Sequence, residues 1–182
     1  MIQLVGLAFL IPLTAIEARA AESNGSTGQD PTLRILDRAS AFFNSGKGDS
    51  AMVYYNRAAK LSERQKDTRA KQLEVKALLG KSSVYFFYFF DYSKAFEALA
   101  QARLISEQQA FSTAPVDFRE GLLYHALSDQ CNDEAAARLA LNNYQRAFAE
   151  SGSDTEPQTL NNMMVNYILI AHKLGRLSSV RK

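Results

Sequence analysis

A run of six aromatic residues at positions 85–90 (YFFYFF) is the most unusual chemical feature of the sequence. Successive residues of an α-helix are rotated by about 100°, so six in a row cover every side of the helix and cannot all enter one hydrophobic contact. One interpretation is a central helix enclosed on most sides, with its tyrosine hydroxyls reaching water. The other places Val84, Phe87 and Tyr88 on a concave face, where they would anchor a peptide or a helix. A buried β-strand also fits the aromatic composition, but the helical patterns on both sides argue against it.

The side chains that could serve in catalysis or metal binding are few and scattered. The two histidines, His125 and His172, are 47 positions apart and lack the spacing of an HExxH metal site. Cys131 has no CxxC partner, which favours a small core residue over a nucleophile. Asp117 and Glu120 share one face of a predicted helix, as most pairs of surface carboxylates do. We therefore expect no catalytic site, no metal and no cofactor, and the sequence does not predict an enzyme.

Polar residues offer two further candidate contacts for a partner. Residues 60–81 contain seven lysines and arginines against three carboxylates. This mixture indicates a solvated face with local ion pairs, and an acidic partner or an anionic surface is the alternative. Three asparagines near the C-terminus are either solvated or able to hydrogen-bond the extended backbone of a partner; they are Asn161, Asn162 and Asn166.

Length and composition narrow the classes of fold and function. The chain has 182 residues, 47% of them apolar, and a formal charge of +2, as in an ordinary globular protein. These values exclude a collagen-like, a wholly disordered and a multi-span membrane protein. A single cysteine excludes an intrachain disulfide framework, and the near-balanced charge does not indicate a nucleic-acid partner.

Residues 1–20 have the pattern of a secretory signal peptide. Positions 4–16 are mostly apolar, and Ala18-Arg19-Ala20 is the small-x-small pattern that signal peptidase recognises, with cleavage after Ala20. The apolar stretch is shorter than the roughly 20 residues that cross a bilayer, and no lysine or arginine precedes it. We expect export to the periplasm or another extracytoplasmic space; an uncleaved anchor and a misassigned start are the alternatives. Residues 21–31 are small and polar and are predicted to be a flexible tail.

Residues 32–182 show the apolar period of helices, which predicts an all-α domain. On the third helix one stripe includes Leu73, Ala77 and Val84, and a second begins at Leu79, which indicates neighbours on two sides. Prolines open three of the helices, aspartates cap others, and Gly152 and Gly175 are predicted C-terminal stops. The seven predicted helices span residues 32–44, 49–62, 69–89, 92–109, 116–130, 133–150 and 158–174.

An internal repeat follows from the small residues in the second helix of each predicted hairpin. The copies begin at Ala51, Ala95 and Ala137, with spacings of 44 and 42 residues. Stacked units of this kind bury their apolar faces only against one another. An alternative register places Ala140, Tyr144 and Ala147 in the third copy, and the sequence leaves both registers open.

These repeats resemble the tetratricopeptide repeat family. Residues 46–58, ending in A-x-x-Y-Y-x-x-A, are similar to the second half of such a repeat, and residues 91–95 (DYSKA) are similar to its turn and second-helix start. The family's tryptophan is absent, Ser82-Ser83 and Leu127-Ser128 replace its Leu-Gly pair, and the period exceeds the usual 34 residues. The resemblance implies an α-α superhelix of three complete helical hairpins plus a fourth begun. It also implies non-catalytic binding of a protein or peptide, in units similar to those of exported bacterial sensor proteins.

The resemblance places the binding surface on a concave groove formed by the first helices of the hairpins. A rigid, preformed groove costs little ordering entropy when a partner binds. The candidate binding residues are Ala77, Gly80, Val84, Phe87 and Tyr88.

The last predicted helix carries more apolar residues than one neighbour would cover. Residues 174–180 resemble a turn and the opening of another helix. We expect either a continuation into a longer protein, with a membrane helix and a signalling domain, or a surface covered by another chain, including self-association through this helix. An intracellular adaptor and an unrecognised enzyme are the alternative functions.

Overall fold

The computed structural model describes residues 30–152 and 155–180, with side chains up to residue 175. This part of the chain is all-helical and without a β-strand, so the predicted fold class is confirmed. The predicted signal peptide lies outside the described residues. A π-helical turn, Tyr85–Phe89, extends α3. The α-helices are α1 (Pro31–Asn44), α2 (Gly48–Glu63), α3 (Thr68–Val84), α4 (Tyr92–Gln108), α5 (Ala114–Cys131), α6 (Glu134–Glu150) and α7 (Pro157–Val180).

Local side-chain signals begin most of these helices. The carboxylates of Asp30, Asp67, Asp91 and Asp133 each accept a hydrogen bond of 2.8–3.0 Å from a backbone N–H in the first turn of α1, α3, α4 and α6. Prolines stand in the first turns of α1, α5 and α7, where the missing N–H removes no hydrogen bond. An aspartate cap stabilises a helix by about 1 kcal/mol, which explains why the predicted starts are accurate.

The helices form three hairpins, α1–α2, α3–α4 and α5–α6, and α7 packs against α6. Three hydrophobic clusters fill the spaces between them: the first joins α1, α2 and α3, the second α3, α4 and α5, and the third α5, α6 and α7. Helices α3 and α5 therefore each contribute to two clusters. On α3, Leu73 and Ala77 enter the first cluster and Leu79 enters the second, which confirms the two predicted apolar stripes.

A repeated pattern in α2, α4 and α6 decides between the two registers. Each helix carries alanine, a large residue and alanine at the same spacing, all buried, followed by a serine. The copies are separated by 44 and then 45 residues, so the third copy starts at Ala140 and not at Ala137. The three sets are Ala51, Tyr55, Ala58 and Ser62; Ala95, Leu99, Ala102 and Ser106; and Ala140, Tyr144, Ala147 and Ser151.

The interface between α4 and α5 is the smallest between consecutive helices of the described chain. We call it the α4–α5 seam. Its contacts include the rings of Phe96 and Tyr124, 4.9 Å apart, a 2.6 Å hydrogen bond from Gln130 Nε2 to the Tyr92 hydroxyl, and a 2.8 Å ion pair between Arg103 and Asp117. Two α5 residues, Val116 and Leu123, also enter the second cluster. The seam therefore separates the array into α1–α4 and α5–α7.

The aromatic run forms a widened turn between α3 and α4. Residues Tyr85–Phe89 are π-helical, Phe90 is left-handed with φ 52° and ψ 28°, and the Asp91 N–H donates to the Tyr85 carbonyl oxygen at 3.0 Å. A left-handed residue with a side chain costs roughly 1–2 kcal/mol. Phe90 is 70% exposed, whereas the side chains of residues 85–88 are half-buried.

Helix α7 is longer than predicted, because it continues through Gly175 to Val180. The expectation of a stop at Gly175, with a turn before another helix, is therefore wrong. A glycine inside a helix costs about 0.5–1 kcal/mol, and the leucine and arginine residues around it favour the helix strongly enough to offset that cost. No helix in the described ranges has the length and apolar character needed to span a membrane.

Candidate functional site

Three of the five predicted groove residues lie in the interior. Ala77 and Val84 are fully buried in the first hydrophobic cluster. Gly80 is buried beneath the ring of Tyr55 from α2, and a Cβ added at Gly80 would lie 2.2 Å from that ring. These side chains serve packing between α2 and α3, so a partner on this face would contact mainly Phe87 and Tyr88.

Phe87 and Tyr88 are brought together with Phe43 of α1. The ring of Phe43 meets those of Phe87 and Tyr88 edge-on, with centroids 6.0 Å and 5.2 Å apart, and the Tyr88 hydroxyl donates to the Phe43 carbonyl oxygen. A Cβ at Gly48 would lie 2.7 Å from Tyr88, so a glycine at the start of α2 allows this close approach. Both aromatic side chains are half-buried, and they tie the π-helical turn to the first hairpin.

Asp117 is the centre of a charged network that sequence reasoning missed. It was expected to be one of a pair of surface carboxylates, but its side chain is fully buried. Its Oδ1 accepts from Arg103 Nη2 of α4 at 2.8 Å and from Arg146 Nε of α6 at 2.9 Å, and its Oδ2 accepts from Thr113 Oγ1 at 3.0 Å. Arg103 Nη2 also lies 3.0 Å from Glu120 Oε2. The acidic pair therefore joins three helices across the α4–α5 seam.

The charges of this network balance one another. Burial opposes the charge of Arg103, but hydrogen bonds and attraction from Asp117 and Glu120 outweigh that effect and raise the pKa of the guanidinium. Both oxygens of Asp117 accept hydrogen bonds from side chains within the fold. The network is suited to holding helices together rather than to acid–base chemistry.

His125 lies in a second polar cluster, between α5, α6 and α7. Its Nδ1 is 3.3 Å from the Tyr144 hydroxyl, and its Nε2 is 3.8 Å from Asp129 Oδ2. Lys173 Nζ of α7 donates to Asp129 Oδ1 at 2.7 Å. Burial lowers the pKa of His125, the nearby Lys173 lowers it further, and Asp129 opposes both. Burial also raises the pKa of Tyr144.

The other candidate reactive residues stay apart. Cys131 is exposed at the end of α5, so its predicted place in the core is wrong; the left-handed Asn132 ends the helix there and turns the chain outward. His172 is exposed on α7. Within the described ranges no group of three metal-ligating side chains comes together.

The polar candidates are mostly solvated or paired locally. In residues 60–81 most basic side chains are exposed, and Lys71 pairs with Glu74 at 2.7 Å. Asn166 Nδ2 donates to the backbone oxygen of Asn162 at 2.8 Å, and Asn162 Oδ1 accepts from Gln158. These contacts lie within single helices and do not build a binding site.

Among the described residues, the largest group of exposed apolar side chains lies on α7. Four large side chains on its outer side are between 44% and 57% exposed: Met164, Val165, Ile168 and Leu169. Met164 and Ile168 also line a shallow groove of about 440 Å³ between α6 and α7, together with Gln145, Phe148 and Tyr167. We call these side chains the α6–α7 surface. The excess apolar content of the last helix predicted part of it, whereas the α6 side of the groove had no local signal.

No match was found when the chain was compared with protein-family models, with curated proteins and with solved structures.

Proposed function

We propose that this chain is a non-catalytic helical-hairpin array that binds a protein or peptide partner on the α6–α7 surface. One observation carries the proposal: four large apolar side chains stay exposed on successive turns of α7. A contiguous apolar surface of this kind is typical of a protein-interaction site. The groove is built from side chains on two packed helices, so a partner finds it preformed and little ordering entropy is lost on binding.

The polar clusters support a binding role over a catalytic one. Asp117 has its donors within the fold, and His125 is shared between Tyr144 and Asp129. Neither cluster lies in the groove that the α6–α7 surface forms. An enzyme with an unrecognised site remains the more remote alternative.

The proposal also includes a repeat family and a cellular location for the chain. We infer a tetratricopeptide-like repeat from the sequence resemblance, and the stacked hairpins with a 44–45 residue pattern support it. The apolar stretch before Ala18-Arg19-Ala20 supports an exported sensory or scaffold segment of a bacterial signalling protein. The mass of the mature protein tests the setting, since loss of residues 1–20 supports export, and an intact N-terminus on cytosolic protein favours an intracellular adaptor.

The partner surface is tested by site-specific photo-crosslinking in the native host. A benzophenone amino acid replaces Ile168 in one variant and Leu104 of α4 in the control. The two positions match closely, with 57% and 56% exposure, but Leu104 lies outside the groove. We expect an adduct of defined mass from position 168 and none from position 104.

The identity of the adduct separates the possible partners. An adduct with a different protein supports the adaptor or sensor role, and an adduct of twice the chain mass supports self-association through α7. Equal labelling at positions 168 and 104, or no adduct at either, would contradict the assignment of the α6–α7 surface.

A further inference from the structure

A second groove lies between α1 and α2, at the opposite end of the helix order from the α6–α7 surface. It has a volume of about 280 Å³, and its chemistry differs, because three arginines surround an apolar floor. We call it the arginine groove. Its lining residues are Pro31, Arg34, Ile35, Arg38, Tyr54 and Arg57.

The three arginines have no carboxylate partner among the described residues. Arg34, Arg38 and Arg57 are all exposed, and the ion pairs within the described ranges involve other side chains. Arg103 and Arg146, by contrast, share Asp117. The arginine groove therefore brings together three guanidinium groups that have no ion-pair partner in the described ranges, in a chain whose net charge is only +2.

Arg38 is held in place by aromatic rings. Its guanidinium carbon lies 5.2 Å from the ring centroid of Tyr54 and 6.0 Å from that of Phe42. Cation–π attraction of this kind favours a guanidinium placed over the rings, and the planar guanidinium has N–H donors for a bidentate acceptor. Less side-chain entropy is then lost when Arg38 binds an anion.

The floor of the arginine groove is apolar, so a well-matched ligand must also have an apolar part. Ile35 and Tyr54 are half-buried beside the arginines. A small inorganic anion would satisfy the guanidinium groups but leave this floor open to water. A ligand that carries carboxylates next to an apolar side chain would satisfy both.

We propose that the arginine groove binds an acidic segment of a partner protein, in which carboxylates pair with Arg34, Arg38 and Arg57 and an apolar side chain packs on Ile35 and Tyr54. This site goes beyond the proposed α6–α7 surface and is independent of it. Because the charges are exposed, binding weakens as salt is raised.

The test uses the full chain and a fluorescein-labelled peptide of alternating glutamate and leucine, with fluorescence anisotropy as the readout. The groove variant combines Arg38→Gln with Arg57→Gln. The matched control combines Arg64→Gln with Arg69→Gln, which removes the same charge from exposed positions outside the groove. A further variant, Arg34→Gln with Arg57→Gln, keeps the Arg38 stack in case its loss disturbs folding, and circular dichroism melting checks all three.

We expect the groove variants to weaken peptide binding by about tenfold or more, since each charge-assisted hydrogen bond is lost with its arginine. The control pair should change the affinity by less than about twofold. Equal weakening by the control pair would overturn the proposal and favour the basic stretch 60–81 as a general anionic surface. Displacement of the peptide by equimolar inorganic phosphate would also overturn it, because a simple anion site would then account for the binding.

Discussion

Asp117 shows why a residue's role escapes local sequence patterns. Its spacing from Glu120 is that of an ordinary surface pair, yet the side chain is fully buried because Arg103 and Arg146 reach it from the two neighbouring helices. Those arginines lie 14 and 29 positions away in the chain. The same limit applies to the predicted groove, since periodicity identifies a helix face but not the helix that covers it.

Replacing Asp117 with asparagine should destabilise the fold by about 3 kcal/mol, because it leaves two arginines without their buried carboxylate. The partial exposure of Arg103 and Arg146, 25% and 54%, keeps the loss below the largest values known for such pairs. Urea unfolding measures the free energy. The control is Glu97→Gln, an exposed carboxylate on the outside of α4, which should change stability by no more than about 0.5 kcal/mol. If Asp117→Asn and Glu97→Gln lowered the free energy of unfolding by similar amounts, the network would not stabilise the fold.

His125 should make the packing of α7 sensitive to acid. Its pKa in the folded chain is lowered from 6.5 by burial and by Lys173, with Asp129 opposing and Tyr144 facing the other ring nitrogen. The unfolded chain then binds the proton more readily, so this contribution to stability is complete above about pH 6.5 and is lost as the pH falls through the lowered pKa. The urea midpoint should fall more between about pH 7.5 and about pH 5.5 for the wild type than for His125→Gln. Parallel pH profiles would contradict a role for His125.

The sequence predicts the positions of the helices more accurately than the contacts between them. Aspartate caps, first-turn prolines and a 3.6-residue apolar period are all local, and the predicted starts fall within two residues of those observed. The predicted end of α7 at Gly175 is wrong, because the neighbouring residues favour helix and α7 continues to Val180. The sequence leaves the register of the third repeat open because Ala137 and Ala140 are both small. In the structure Tyr144 and Ala147 are both buried, which places the start of the third copy at Ala140.

Two glycines in helices should respond in opposite directions to alanine. Gly80→Ala should destabilise the protein by about 1–3 kcal/mol, since the new Cβ would lie 2.2 Å from the Tyr55 ring. Gly175→Ala should stabilise it by about 0.5–1 kcal/mol, because no described side chain or neighbouring helix lies within 4 Å of its Cβ position and alanine favours helix. Thermal unfolding by circular dichroism distinguishes them. The same sign of change in both variants would contradict the close packing of α3 against α2.

At the scale of the whole array, the described helices form two groups joined at the α4–α5 seam. The first and second clusters share α3, but α5 enters the second cluster mainly through Val116 and Leu123. In a stacked array the stability is roughly the sum of units and the interfaces between neighbours. A weak interface therefore lets one group open before the other.

Native-state hydrogen exchange should show this separation. Amides of α1–α4 and of α5–α7 are expected to exchange as two groups with different opening free energies. Phe96→Ala removes the ring that meets Tyr124 across the seam. It should therefore increase the difference between the opening free energies of the two groups of amides. Phe148→Ala, on one side of the seam, should lower only the α5–α7 group, because Phe148 packs in the third cluster. A single exchange group in all three proteins would contradict the division at the seam.

The seam also sets how the array responds to pulling. Helices stacked one after another carry a tension in series, so every interface bears the same force and the weakest one yields first. The α4–α5 seam is the smallest interface of the series and the ion pair of Arg103 with Asp117 crosses it, so we expect this interface to yield first once that ion pair breaks. A load applied between α1 and α7 would lengthen the protein at one place, while the hairpins on either side stayed folded and both grooves kept their shape.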